Sequence, residues 1–288
     1  MQNWLLISLV VLASTLLWPL NRWAMRNHAR TEALGIVITL TVIVLCGALA
    51  MFTDSRLLSG PALLLGVIGG MAYAVGFVLI IFHCLKIGPT GPTVTLNNLG
   101  LVWPVVAGMA WFATTRGSAM LWLGFGCTLL TLVLTGVNRS RGEATAPITA
   151  RWASLALVGW ALSGISMTSQ FLDSRLAPNT HYAYLLAMNA TALVICLAVL
   201  AVKRGGPLTR VEITAGLGNG ALNIVAIPLS IWLAGRMDPA VLFPVAVAGP
   251  VILMLLIGHF VLKERLNPLG WTASALGLAG IMLLSLSR

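Results

Sequence analysis

The sequence predicts an all-α membrane protein of ten transmembrane helices, arranged as two inverted five-helix repeats. Three observations carry that prediction. Hydrophobic residues make up 59% of the 288 residues and charged residues 8%, with mean hydropathy +0.97, whereas a soluble domain carries about 25% charged residues. Apolar runs of about 20 residues, the length that crosses a hydrocarbon core of about 30 Å, recur along the whole chain. Glycines and prolines of the second half also fall on those of the first at one constant displacement.

The runs can be justified in order. Residues 3–23 have no basic segment ahead of the apolar stretch, and Trp18-Pro19 is no small-residue cleavage site, so they read as a first span rather than a signal peptide. Spans 32–53, 61–83 and 91–114 follow, broken at Asp54–Ser59, Gly88-Pro89 and Arg116-Gly117. Span 118–138 closes the first repeat, residues 1–138. The only long polar stretch, RSRGEATAPITAR at 139–151, reads as a linker. The second repeat, 152–288, holds spans 152–172, 179–202, 211–234, 239–262 and 267–287. Its breaks are Pro178-Asn179, Gly205-Gly206-Pro207, Asp238-Pro239 and Asn267-Pro268.

Sliding the second half back by 146 residues lays Pro250 over Pro104, Gly270 over Gly124 and Gly216 over Gly70. A repeat with five crossings must insert its second copy upside-down, an architecture typical of secondary transporters. Lys and Arg decide which way up. The loops after odd-numbered spans hold Arg22, Arg26, Arg30, Lys86, Arg139, Arg141, Arg151, Lys203, Arg204, Arg210, Lys263 and Arg265. The other face holds Arg56, Arg116, Arg175, Arg236 and Arg288. That bias makes the first set cytoplasmic and both termini non-cytoplasmic, in an integral membrane protein expected in a bacterial inner membrane.

The same residues exclude other classes. Net charge is +10, but there is no basic run or aromatic platform for nucleic acid. Cys46, Cys84, Cys127 and Cys196 lie in or beside apolar segments without paired spacing, which speaks against a disulfide framework and a metal site. No HExxH, GxSxG or acidic pair is present for an enzyme, and nothing calls for a cofactor.

The stretch PAVLFPVAVAGPVILMLLIGHFVLKERLNPLGWTASALGLAGIMLLSL resembles the drug/metabolite transporter superfamily, in particular its EamA-like ten-helix members. Pro250 stands where that family places a proline in the fourth helix of a repeat. Glu264 stands at that helix's end, and Gly270, Gly277 and Gly280 in a glycine-rich fifth helix. The first half keeps Pro104 and Gly124 but has Thr114-Thr115-Arg116 where an acidic residue is usual. The resemblance implies a carrier of small metabolites, with membrane lipids and a small-molecule substrate as partners. Monomer or homo-oligomer is left open.

No Asp, Glu, Lys or Arg falls in the middle of a span. Intramembrane ionisable residues are the usual functional markers, so the expected pocket is uncharged and suits a neutral or zwitterionic solute such as a sugar, polyol or amino acid. Its expected substrate contacts are Asn97 and Asn98 in the fourth span and Asn219 and Asn223, one turn apart on one face of the eighth. Tyr73 and Phe77 occupy the repeat positions of the latter pair, and Trp18, Trp103 and Trp160 are expected walls. The competing reading for each asparagine is interhelical hydrogen bonding. Pro19, Pro104, Pro228, Pro244 and Pro250 are candidate hinges, against fixed bends. His83 and His259, near the ends of their spans, are candidates for proton coupling, against an interfacial role. The stretches GVIGGMAYAVG and AGLGNG read as small-residue faces for close helix contact. The alternative function is a lipid flippase or other lipid-handling protein with a laterally open cavity.

Overall fold

A computed structural model describes residues 2–53, 59–88, 90–112, 118–142, 149–177, 179–260 and 268–286. Among these residues every regular element is a helix. They are α1 (Gln2–Arg26), α2 (Thr31–Met51), α3 (Gly60–Ile87), α4 (residues 90–112), α5 (Ala119–Gly142), α6 (Ala150–Leu176), α7 (His181–Val202), α8 (Arg210–Ala234), α9 (Pro239–Phe260) and α10 (Pro268–Leu286). Seven helical stretches, in α1–α4 and α6–α8, are long and apolar enough to cross a bilayer. Shorter apolar stretches lie in α5, α9 and α10. The outer surface is apolar too: Leu5, Val44, Leu64, Trp111, Val194 and Met282 are each more than 60% exposed. Such a surface needs hydrocarbon around it, and the chain is an all-helical integral membrane protein.

The helix ends follow from local chemistry. Thr149 Oγ1 accepts from the Trp152 N–H at the start of α6, Asp238 Oδ1 from the Ala240 N–H at α9, and Ser118 Oγ from the Leu121 N–H at α5. At α8, Thr209 and Glu212 form a capping box. Two helices end in the left-handed region without glycine. His28 (φ 58°) and Arg204 (φ 48°) let the Ala29 and Gly205 N–H groups reach back to the Ala24 and Leu200 carbonyls. The break at Gly205-Gly206 therefore turns one residue before its first glycine.

Two boundaries differ from expectation. Residues 139–142 continue α5 and residues 150–151 belong to α6, so the linker between the halves is shorter than 139–151. Helix α6 also runs past 172 to Leu176, which takes Asp173 inside a helix.

Packing sets each half against the other. Helix α1 packs on α8 and α9, and α6 packs on α3 and α4; α2 packs on α8, and α7 on α3. Exchanging the first five helices for the last five leaves these pairs unchanged. The glycines give the register. A Cβ on Gly66 would strike Ala187 and Met188, and one on Gly70 would strike Met188 and Thr191. A Cβ on Gly216 would strike Val37 and Ile38, and one on Gly220 would strike Ile38 and Thr41. Adding 150 to the α3 numbers and subtracting 150 from the α7 numbers turns the first set into the second. These two crossings thus match at a displacement of 150, about one helical turn from the 146 read from the sequence. Gly216 takes the place in one crossing that Gly66 has in the other.

Chain directions follow from the same contacts. Along α2 and α7 the pairs Glu32–Lys203, Gly35–Cys196 and Cys46–Tyr182 run antiparallel. Along α5 and α10 the pairs Gly124–Leu284 and Thr131–Gly277 do the same. Helices α3 and α7 run parallel. One end of the bundle, called the basic end below, gathers the C-termini of odd-numbered helices and the N-termini of even-numbered ones. The other is the far end.

Candidate functional site

Among the described residues, the amides that the sequence singled out in α4 and α8 fall in two seams of this apolar bundle. The first is a line of amides between α1 and α8. Asn219 donates through Nδ2 to Asn21 Oδ1 at 2.6 Å, and Asn223 donates through Nδ2 to Asn219 Oδ1. Asn21 and Asn219 are buried and Asn223 half-buried. On α8, Gly216 and Gly220 lie on the same face as the two asparagines and let α2 approach closely beside them. An amide left unpaired in hydrocarbon costs about 2–7 kcal/mol, so the line is held as a unit. Asn21, its α1 end, was not among the expected contacts.

The second seam joins α4 to α6. Ser163 Oγ donates to Asn97 Oδ1 at 2.6 Å, and the Trp103 and Trp160 rings meet with centroids 5.5 Å apart. Trp103 lies over Gly164, where a Cβ would collide with its ring. Trp103 is 40% exposed, and the Nε1 of Trp160 is buried with no hydrogen-bond partner. Asn98 is also buried on α4. The expected contacts therefore fall into two groups, Asn219 and Asn223 with α1, and Asn97, Trp103 and Trp160 with α6.

Tyr73 and Phe77 lie in a third environment. They stack at 5.7 Å within a π-helical stretch, Tyr73–Ile81, in which i→i+5 hydrogen bonding widens α3. Such bulges concentrate at functional positions. Phe77 meets Phe82 at 5.1 Å and packs into the cluster of Ala24, Leu34 and Ile38 that also receives Leu20, next to Asn21. Gly76 in the same stretch lets Leu162 of α6 approach. Asn189, another interior amide, donates to the Leu185 carbonyl at 2.9 Å within its own helix.

Among the described residues the buried carboxylates, Glu32, Asp173 and Glu212, stand near helix ends. At the basic end, Arg30 donates through its backbone N–H, Nε and Nη2 to the Glu212 carboxylate, each at 2.9 Å, and through Nη1 and Nη2 to the Gly206 and Pro207 carbonyls. Glu212 also accepts the Thr209 N–H at 2.8 Å. The Glu212 hydrogen bond raises the Arg30 guanidinium further above its ordinary pKa. Lys203 meets Glu32 at 3.2 Å, and Lys86 donates to the Ala29 carbonyl. This network ties the α1–α2 connection to the α7–α8 connection across the two halves.

The far end carries a cavity of about 150 Å³ between the end of α6, the start of α7 and the end of α8. Asp173, Ser174 and Ala177 line one side, His181 another, and Trp232 and Arg236 a third. Asp173 is fully buried. Its Oδ1 accepts from Thr180 Oγ1 at 3.2 Å, while its Oδ2 has no hydrogen-bond partner. The Arg236 guanidinium lies 3.5 Å over the Trp232 ring. Asp173 falls just past the expected span 152–172 but inside the observed helix.

Of the hinge candidates, Pro19 is exposed in α1, and Pro104, Pro228, Pro244 and Pro250 are buried in α4, α8 and α9. The 3₁₀ turn Leu99–Leu101 lies just ahead of Pro104, which cannot donate to the Gly100 carbonyl. His83 is half-buried on α3. The side chains of Trp18 and His259, and Glu264 altogether, lie outside the described residues.

No family model matches the chain, and no curated protein does. Twenty-nine solved chains match its structure. One, described only as "Crystal structure of protein", superposes with a TM-score of 0.74 at 19% identity, over 98% of this chain and 96% of that one. At that identity the likeness is one of fold.

Proposed function

We propose that the chain is a secondary transporter of the drug/metabolite transporter type, moving a small neutral or zwitterionic metabolite by alternating access between two inverted five-helix repeats. The observation that carries this reading is the exchange of halves. Gly66 and Gly70 sit on α7 as Gly216 and Gly220 sit on α2, while α2 and α7, equivalent helices, run in opposite directions. Two similar bodies related in this way have two packings of nearly equal energy, which is what rocking about a central site requires.

The interior polar groups support an uncharged cargo. Amides, hydroxyls and indoles occupy the α1–α8 and α4–α6 seams, and the buried charges stand at the ends. With the basic end inward, the Arg30–Glu212 and Glu32–Lys203 pairs hold that end together. Opening inward would then mean breaking this network while the far end closes.

The test is a thermal-shift screen of purified protein against sugars, polyols and amino acids, since a ligand of the folded state raises its melting point. Uptake of each hit into proteoliposomes follows. Asn223→Ala and Asn98→Ala are expected to lower flux about tenfold, the value of one hydrogen bond to substrate, at unchanged yield of folded protein. Equal loss of folded protein and flux would leave both asparagines as packing groups only.

A further inference from the structure

We propose that the far-end cavity is a binding site for a small ammonium-bearing solute with an acceptor at its other end, Asp173 Oδ2 receiving the ammonium. Three features of the cavity lead there.

Asp173 is buried in the last turn of α6, where the helix carbonyls make a carboxylate unwelcome. Thr180 Oγ1 lies 3.2 Å from one of its oxygens but shares its single proton with the closer Ala177 carbonyl. Asp173 is one of the residues around the cavity, and its other oxygen, closed over in the structure, has no donor. A buried carboxylate with a vacant acceptor is costly, and in a membrane protein such a group points to a partner that comes and goes.

The rest of the lining selects among cations. The proton of Ser174 Oγ goes to the Phe171 carbonyl at 2.6 Å, which leaves that oxygen as a second acceptor beside Asp173. An ammonium brings three donors to such a pair. A metal ion would require more ligands, and no group of three or more His, Cys, Asp or Glu converges among the described residues. At the rim, Arg236 is held flat on Trp232, a donor with no acceptor capacity. It repels a bare cation but receives the oxygen end of a solute whose ammonium lies deeper. Ala177, Ile231 and Gly235 leave apolar space for the short link between the two ends. The volume of about 150 Å³ is roughly ten times what one water needs.

This site is separate from the Asn219–Asn223 seam. From Asn223 to Gly235 along α8 is about 18 Å at 1.5 Å per residue. As a first docking point for a zwitterionic cargo it builds on the transport reading, but binding is measured without flux. If the site binds and no transport is found, the transport reading alone fails.

The experiment is thermal shift and calorimetry on the full chain in nanodiscs with four probes of similar size: β-alanine, ethanolamine, propionate and ethylene glycol. β-Alanine and ethanolamine are expected to stabilise, and propionate and ethylene glycol to leave the melting point unchanged. D173N keeps the shape and removes the charge, and it should weaken β-alanine by at least about tenfold. R236Q should weaken β-alanine while sparing ethanolamine. Silence of both amines, or propionate acting as well as β-alanine, overturns the proposal from the wild-type protein alone. So does undiminished β-alanine binding to D173N.

Discussion

Asn219 accepts from one amide and donates to another, so it couples α1 to its own helix. Replacing it with alanine strands Asn21 and Asn223 together, and each interhelical bond in a membrane protein is worth about 0.6–2 kcal/mol. Asn219→Ala is expected to lower the melting point more than Asn223→Ala, and a double substitution with Asn21→Ala to add little to Asn219→Ala alone. Melting curves of the purified variants check this; full additivity would mean that the three side chains act independently. The residue scale is also where the sequence was least informative. Asn219 and Asn223 were legible as a same-face pair four residues apart, but their partner Asn21 comes from a helix almost two hundred positions away. Ser163 gave no signal, because a serine in a span is ordinary until something bonds to it. Asp173 lies one residue past the expected span 152–172, and the helix runs on to Leu176.

Helices meet here through glycine, and the consequence can be measured one position at a time. Gly70 and Gly220 abut the backbone or β-carbons of the helix they cross, whereas Gly47 and Gly126 have nothing within 4 Å of a Cβ. Gly70→Ala and Gly220→Ala should each destabilise by about 1–3 kcal/mol through overpacking. Gly47→Ala and Gly126→Ala should be neutral or slightly stabilising, since alanine is the better helix former. Equal melting-point losses at Gly70 and Gly220 are the expected mark of equivalent interfaces. Within α6 and α7, Tyr184 Oη and Ser169 Oγ share a buried bond of 2.8 Å. Tyr184→Phe removes it without a cavity and should cost about 1 kcal/mol. Helix starts and stops were readable to within a few residues from caps and turn residues. The π-helical stretch at Tyr73–Ile81 was not, because its apolar sequence carries no local signal that separates a π-helix from an α-helix.

At the scale of the whole molecule the basic-end network is the link most open to test. Arg30 and Glu212 join the α1–α2 and α7–α8 connections. Glu212 is buried and the Arg30 side chain 28% exposed, so removing Arg30 strands a buried carboxylate, at a cost of about 3 kcal/mol, and removing Glu212 costs less. Glu212→Ala should lower the melting point. If the network holds the inward end shut, Glu212→Ala should also make a thiol introduced on that side of α8 react faster with a water-soluble maleimide. An unchanged labelling rate would make the network purely structural. Orientation is checked with a reporter fused to the C-terminus: the Lys and Arg bias expects activity only outside the cytoplasm.

Composition and apolar run length, read without coordinates, were enough to specify helices in lipid, because hydrocarbon tolerates backbone only when each helix satisfies its own hydrogen bonds. The recurrence of glycine and proline suggested two copies for the same local reason, since each copy needs the same close crossings. The matching glycine crossings of α3 on α7 and α8 on α2, the amide seam reaching Asn21, the ion pairs between distant connections and the cavity around Asp173 emerged only in three dimensions. Each depends on which faces of distant helices meet, and a shift of one turn alters every partner while leaving the hydrophobic pattern of each helix almost untouched.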